Sequence, residues 1–424
     1  MNSQRESAAV YLLATMDTKG AELGFLADRL RHRGVAVRTV DVGTDPELTA
    51  EADVSREEVL AASAIQSTVT QNESTSGDRG QAIAKMSACL REFMLSEQRA
   101  GRVQGVIGIG GSGGTSLIAP AMRILPIGMP KILVSTVASG NVAPYVDCSD
   151  IFMLYSVVDI AGLNVVSKRI LTNAADAMAG MVLPDSKATT SKTTDSQVPP
   201  RNTVGLTMFG VTTPCVTQVR QQLEADNNEC LVFHATGTGG RAMEQLVESG
   251  FLTAVMDITT TEVADEIVGG VFAAGPERFD RVLRSRVPYI LSLGALDMVN
   301  FGARETVPPQ FQDRLLHCHN AQVTLMRTNA VECKQIGRWI ADKLNQSVAP
   351  LRLLIPEGGL SLLDVPGQPF HDPEADHALF DSLEEHLQQS DTRQCIRLPY
   401  EINAPEFSEA LLQHFSELSA KASS

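Results

Sequence analysis

Short apolar runs alternate with helical periods along most of this chain. "AVYLLAT" (9–15), "VAVRTVDVG" (35–43), "VQGVIGI" (103–109), "KILVSTV" (131–137) and "IFMLYSVV" (151–158) read as strands of the first half. Each is too short for a helix and is rich in Val, Ile and Leu, as strands buried on both faces are. Between the first two, Leu23, Leu26 and Leu30 fall on one helical face, and Gly34 is a natural stop. The polar segment 48–80 reads as helix plus loop.

The second half repeats this grammar. "TVGLTMFG", "ECLVFHATG", "LTAVMDI", "PYILSLGA", "LRLLIPEGG" and "CIRLPYEIN" read as strands, and "PEADHALFDSLEEHLQQ" as a helix. Between the halves, "LPDSKATTSKTTDSQVPPRN" is rich in Ser, Thr and Pro and reads as a linker. The pattern predicts an α/β chain of two Rossmann-like, doubly wound domains with mainly parallel sheets. Residues 1–183 and 204–424 form the domains, 184–203 join them, and a ligand cleft is expected between them.

Composition narrows the function. The 424 residues exceed one ordinary core, and 43% hydrophobic against 20% charged residues is globular. A net charge of −15 argues against general nucleic-acid binding. It leaves room for one small anion held by backbone amides. No apolar run reaches the roughly 18 residues of a membrane span. The start reads as a first strand and not as a signal peptide. Seven scattered cysteines without a C-x-x-C pair suggest reduced thiols in a cytoplasmic protein, with no thiolate zinc site.

The densest chemical signal is "GIGGSGGTSL" (108–117), five glycines in seven positions after a strand. Gly108, Gly110 and Gly113 fit a dinucleotide fingerprint, and Gly110, Ser112 and Gly114 fit a nucleophile elbow. A third reading is a plain phosphate cradle at a helix start, formed by Gly110, Gly111, Ser112, Gly113, Gly114 and Thr115. The next strand, "KILVSTVASG", lacks the acid that would hold a ribose, which weakens the dinucleotide reading. No Gly-Lys-Ser/Thr follows, so this is not a P-loop. Asp17, Thr18, Lys19 and Gly20 end the first strand, on the same sheet edge. There Lys19 would neutralise a phosphate and Asp17 would hold a metal ion or a hydroxyl; the plain alternative is a helix cap with a solvated lysine.

In the second half, "FHATGTGGRAMEQL" sets Gly237, Gly239 and Gly240 before a helix from about Arg241, and Asp257 ends the next strand as a ribose acid would. His234 precedes these glycines, with an ordinary pKa of about 6.5 suited to proton transfer. Glu262, in "DITTTEVADEIVGG", would orient His234 or bind a metal, or simply cap its helix. Asp297, Asn300, Glu357 and Arg327 also follow or end strands, and Arg327 would clamp a carboxylate or phosphate or simply pair with a surface acid.

Taken in order, "ATMDTKGAELGFLADRLRHRGV", "GIGGSGGTSL", "STVASGNVAPYV", "TMFGVTTPCV", "FHATGTGGRAMEQL", "TTTEVADEIVGGVFAAGPERF", "SLGALDMVNFG", "VTLMRTN" and "PEGGLSLLDVPGQPFHDPEAD" resemble one family. It is the uncharacterised bacterial, fungal and plant family that shares the ATP-binding N-terminal region of the tomato mosaic virus resistance protein. The resemblance runs from about residue 8 to 420 and implies two Rossmann-like subdomains and ATP binding, with no settled reaction. The expectation is therefore a cytoplasmic nucleotide-binding homo-oligomer. It would take ATP, with or without Mg2+, or a phosphorylated metabolite, and neither membrane nor general nucleic acid. Two alternatives stay open: a hydrolase-like metabolic enzyme with His234 and Glu262 as its catalytic pair, and a non-catalytic nucleotide sensor.

Overall fold

The computed structural model describes residues 8–45, 51–62, 79–183 and 202–422. It divides into two compact units, Met1–Thr193 and Thr194–Ser424. Most of the linker 184–203 lies outside the described residues.

In the first unit β1 (Ala9–Ala14), β2 (Val37–Asp41), β3 (Val103–Gly110), β4 (Lys131–Ser135) and β5 (Phe152–Tyr155) form one parallel sheet, in the order β2-β1-β3-β4-β5. This is one of the two common doubly wound orders. Alternation along β1 shows why it is apolar throughout. Val10, Leu12 and Ala14 pack against α1 (Met16–His32) and α6 (Val165–Val182), while Tyr11 and Leu13 pack against α3 (Arg79–Arg99) and α4 (Ser112–Arg123). The strand order reverses between β1 and β3, so the crevice for a ligand opens at their carboxyl ends.

The segment expected to be helix plus loop contains α2 (Arg56–Ala61), capped by Ser55 and Glu58, and runs into α3. Residues 63–78 lie outside the described residues. A short helix, α5 (Ala143–Val146), follows β4.

The second unit has β6 (Thr203–Met208), β7 (Glu229–His234), β8 (Ala254–Thr259), β9 (Tyr289–Gly294), β13 (Leu351–Pro356) and β14 (Arg393–Leu398) in the order β14-β13-β9-β8-β6-β7, again all parallel. Helices α7 (Thr213–Ala225) and α13 (Pro405–Ala422) cover one face. The other carries α8 (Thr238–Glu248), α9 (Thr261–Val268), α10 (Asp280–Arg284), α11 (Ala330–Leu344) and α12 (Pro373–His386). The two doubly wound α/β units match the expected fold class.

One element departs from the reading. Between β9 and α11 the chain makes a separate antiparallel sheet of β10 (Met298–Phe301), β11 (Leu316–Asn320) and β12 (Val323–Arg327), ordered β10-β12-β11. Its pattern misled the reading because β10 is only four residues and wholly buried, while β11 ends exposed.

Helices α11 and α12 cross closely at Gly337. A methyl there would lie 2.6 Å from the Leu379 carbonyl oxygen. Gly337→Ala, which in an open helix gains about 1 kcal/mol, should instead cost about 1–3 kcal/mol through overpacking. Denaturant unfolding followed by the fluorescence of the chain's one tryptophan, Trp339, measures this; a more stable variant would contradict the packing.

Candidate functional site

At the carboxyl ends of β1 and β3 a cavity of about 190 Å³ is lined by Thr15, Asp17, Thr18, Lys19, Thr44, Ile83, Gly111, Ser112, Gly113, Gly114 and Leu117. The two stretches singled out in the first half therefore meet at the switch point of the first sheet. Asp41, at the end of β2, fixes the approach, for its Oδ1 accepts from Met16 N at 3.0 Å and Gly43 N at 2.8 Å. Lys19 borders the cavity in a non-helical kink of α1 and spends one N–H on the Ile160 carbonyl at 2.8 Å. The Thr18 hydroxyl lies 3.1 Å from both Asp17 Oδ1 and Thr15 Oγ1.

The amides of the loop are its chemistry. The first bond of α4 runs from Thr115 N to Gly111 O, 2.8 Å. The N–H groups of Ser112, Gly113 and Gly114 thus lack a helical acceptor, and among the described residues no side chain caps this helix. A Cβ at Gly111, Gly113 or Gly114 would meet nothing closer than 3.5 Å, and none of them has a positive φ. Neither crowding nor backbone conformation accounts for glycine there.

Gly110, Thr115 and Gly20 do not line the cavity. Gly110 is bare because a Cβ would sit 2.7 Å from Thr115 N. Thr115 is buried, its hydroxyl 2.6 Å from Ser135 Oγ. Thr15, Thr44, Ile83 and Leu117 were not foreseen; Thr15 and Thr44 follow strands, while Ile83 comes from α3, whose docking no local pattern reveals. Ser112 is exposed at the start of α4, whereas His32, the one histidine among the first unit's described residues, is bonded to Asp28 O near the far end of α1. The elbow reading thus has no base within that unit.

The second glycine loop is built differently. Gly237 N and Gly240 N both donate to Glu262 Oε1, at 2.7 and 3.0 Å. Glu262 is fully buried, and its Oε2 accepts from Arg278 Nε at 2.8 Å. The loop's anion is supplied from within the chain. Both oxygens of Glu262 are engaged on the loop amides and Arg278, none is bonded to His234 among the described residues, and the expected pair is not formed. A Cβ on Gly240 would collide with this carboxylate and with Arg278, which explains that glycine. Gly239 is bare because a Cβ would strike the His234 backbone. His234 itself is exposed at the end of β7, its ring 5.4 Å from that of Phe209.

Arg278 also bonds Glu244 Oε1 (3.0 Å) and Asp257 Oδ1 (2.9 Å). Asp257 accepts in addition from Thr207 Oγ1 and Tyr289 OH, so it is a core anchor and not a ribose acid. Burial works against the Arg278 charge, but Asp257, Glu262 and Glu244 outweigh it and hold the guanidinium well above its ordinary value. Burial pushes the Glu244 carboxyl up. Arg327 is likewise buried, against Asp364 and Asp376, and faces no open site. Among the described residues no group of three or more His, Cys, Asp or Glu side chains is placed to hold a metal ion, and no helix is long and apolar enough to cross a membrane.

The N-terminal domain of the uncharacterised protein family UPF0261 matches residues 8–187, and the family's C-terminal domain matches 201–419. This chain belongs to the UPF0261 family. It is 50% identical to the UPF0261 protein RA0729 of Rhizobium meliloti (strain 1021), over 96% of this chain and 98% of that protein. It is 47% identical to the UPF0261 protein mlr3387 of Mesorhizobium japonicum, over 95% and 97%. The ToMV resistance protein Tm-1(GCR237) of Solanum lycopersicum is 46% identical over 99% of this chain, which spans 57% of that longer protein.

In this UPF0261 chain Arg278→Gln would leave three buried carboxylates without their cation. The expected cost is about 3–5 kcal/mol, read in the denaturant transition of Trp339, which packs on the neighbouring Phe279. A cost below about 1 kcal/mol would remove the hub from the account.

Proposed function

We propose that the first unit binds the phosphates of a nucleotide or phosphorylated metabolite, with the amides of Gly111–Gly114 as the cradle. The observation that carries this reading is the contrast between the loops: one has its amides met by Glu262, the other leaves them open at a switch point. ATP is the ligand that the resemblance favours. A cavity of about 190 Å³ is below the roughly 300–1,000 Å³ that encloses a drug-sized ligand, so phosphates would enter while the nucleoside lies outside. Lys19 would add one positive charge beside them. A carboxylate at this position opposes a bare phosphate, and Asp17 would hold Mg2+ bound jointly with phosphate oxygens, the usual ligand set of that ion. Ser112 has no histidine base among the described residues of its unit, which disfavours a serine–histidine hydrolase.

Gly113→Ala and Gly113→Val test the reading. Alanine in the first turn of α4 should leave the fold intact and add up to about 1 kcal/mol of helix stability, yet weaken ATP binding by about tenfold or more, or roughly 1.4 kcal/mol. Valine should abolish binding. Calorimetry with ATP and with inorganic phosphate, beside circular dichroism, gives both quantities. Unchanged affinity in both variants would refute the site.

A further inference from the structure

Residues 357–372 join β13 to α12, far longer than the roughly 2–6 residues usual between a strand and its helix. The loop lies across the carboxyl edge of the second sheet. Leu360 O accepts from Ala295 N at 2.9 Å, just after β9, and Leu362 N donates to Val211 O at 3.1 Å, just after β6. Phe370 is fully buried in a cluster with Phe209, Val211, Ala295, Met298 and Leu325. The strand order reverses between β6 and β8. The loop thus reaches the switch point that is open in the first unit.

Buried charge holds it there. Arg327 Nε donates to Phe370 O at 2.7 Å, and its Nη2 reaches Asp372 O, Asp364 Oδ1 and Asp376 Oδ1 at 3.2, 3.3 and 2.6 Å. Asp364 Oδ2 accepts from Leu360 N, and Asp297 Oδ2 from Ser361 Oγ. Asp297 Oδ1 is buried with no partner among the described residues. Three buried carboxylates thus face one guanidinium. The other titratable groups turned toward them are Asp372 at the cap of α12, the buried Cys333 thiol of α11, and His317 of β11, edge-on to Phe370. None of these brings a second permanent positive charge. One cation balances one carboxylate, so neutrality of the cluster requires protons on the others.

We propose that residues 357–372 form a lid closed over the switch point of the second unit by protons on the Asp297–Asp364–Asp376 cluster, and that loss of those protons releases it. Burial pushes Asp364 up to about 9 and Asp297 up to about 6, and it raises Asp376 as well. The sign follows. Acids raised in the folded state contribute stability that is complete below their ordinary values and is lost as the pH climbs through about 6 and then about 9.

Hydrogen exchange on the full chain at about pH 6 and pH 9.5, corrected for intrinsic rates, tests this. Protection of 357–372 should fall by about tenfold or more, the equivalent of one pKa unit, while β8 keeps its protection. Asp364→Asn, which retains an acceptor for Leu360 N but does not titrate, should remove the part of the fall that occurs near pH 9. The infrared band of protonated carboxyls in the unmutated chain should fade over the same range, a reading that needs no variant. Equal protection of 357–372 at both pH values would overturn the proposal, as would a loss shared equally by β8.

Discussion

The first-turn amides of a helix are satisfied by side chains, water or ligands, and the two glycine loops of this protein differ in whether the chain itself supplies the acceptor. Both glycine loops leave a parallel strand and enter a helix. In the second unit Glu262 reaches in from the next βα turn and accepts from Gly237 and Gly240. In the first no side chain caps the amides of Ser112–Gly114, and the turn after β1 brings Asp17 and Lys19 to the same cavity. One loop has its amides closed by the chain itself, and the other leaves them facing a cavity.

Charge in the second unit follows a related rule. Arg278 gathers Glu244, Asp257 and Glu262; Arg327 gathers Asp364 and Asp376, with Asp297 beside them. Each guanidinium ties together segments distant in sequence. Arg278 links α8, β8 and α9, and Arg327 links the end of β12 to the loop before α12. Such hubs are costly to break from one side, because a buried carboxylate left alone cannot recover its hydration.

The fold was legible because strands buried on both faces are apolar at successive positions, as in β1, β3, β8 and β9. The first candidate site was legible for a related reason: in a doubly wound sheet the ends of strands share one edge, so Asp17–Lys19 and Gly111–Gly114 had to lie near each other. The partner of Glu262 was not legible, since Arg278 stands beyond a loop whose path depends on tertiary packing. The antiparallel insertion was hidden by the brevity of β10 and the polar end of β11. Arg327 looked like a clamp for a ligand because a sequence does not reveal that its acids come from inside the same unit.

Amide nitrogen and proton shifts of the labelled protein, followed during titration with inorganic phosphate and then ATP, test the contrast between the loops most directly. The account predicts large, saturable changes at Ser112, Gly113 and Gly114, and none at Gly237 and Gly240, whose amides Glu262 already holds. Saturable shifts at Gly237 and Gly240 with none at 112–114 would contradict it.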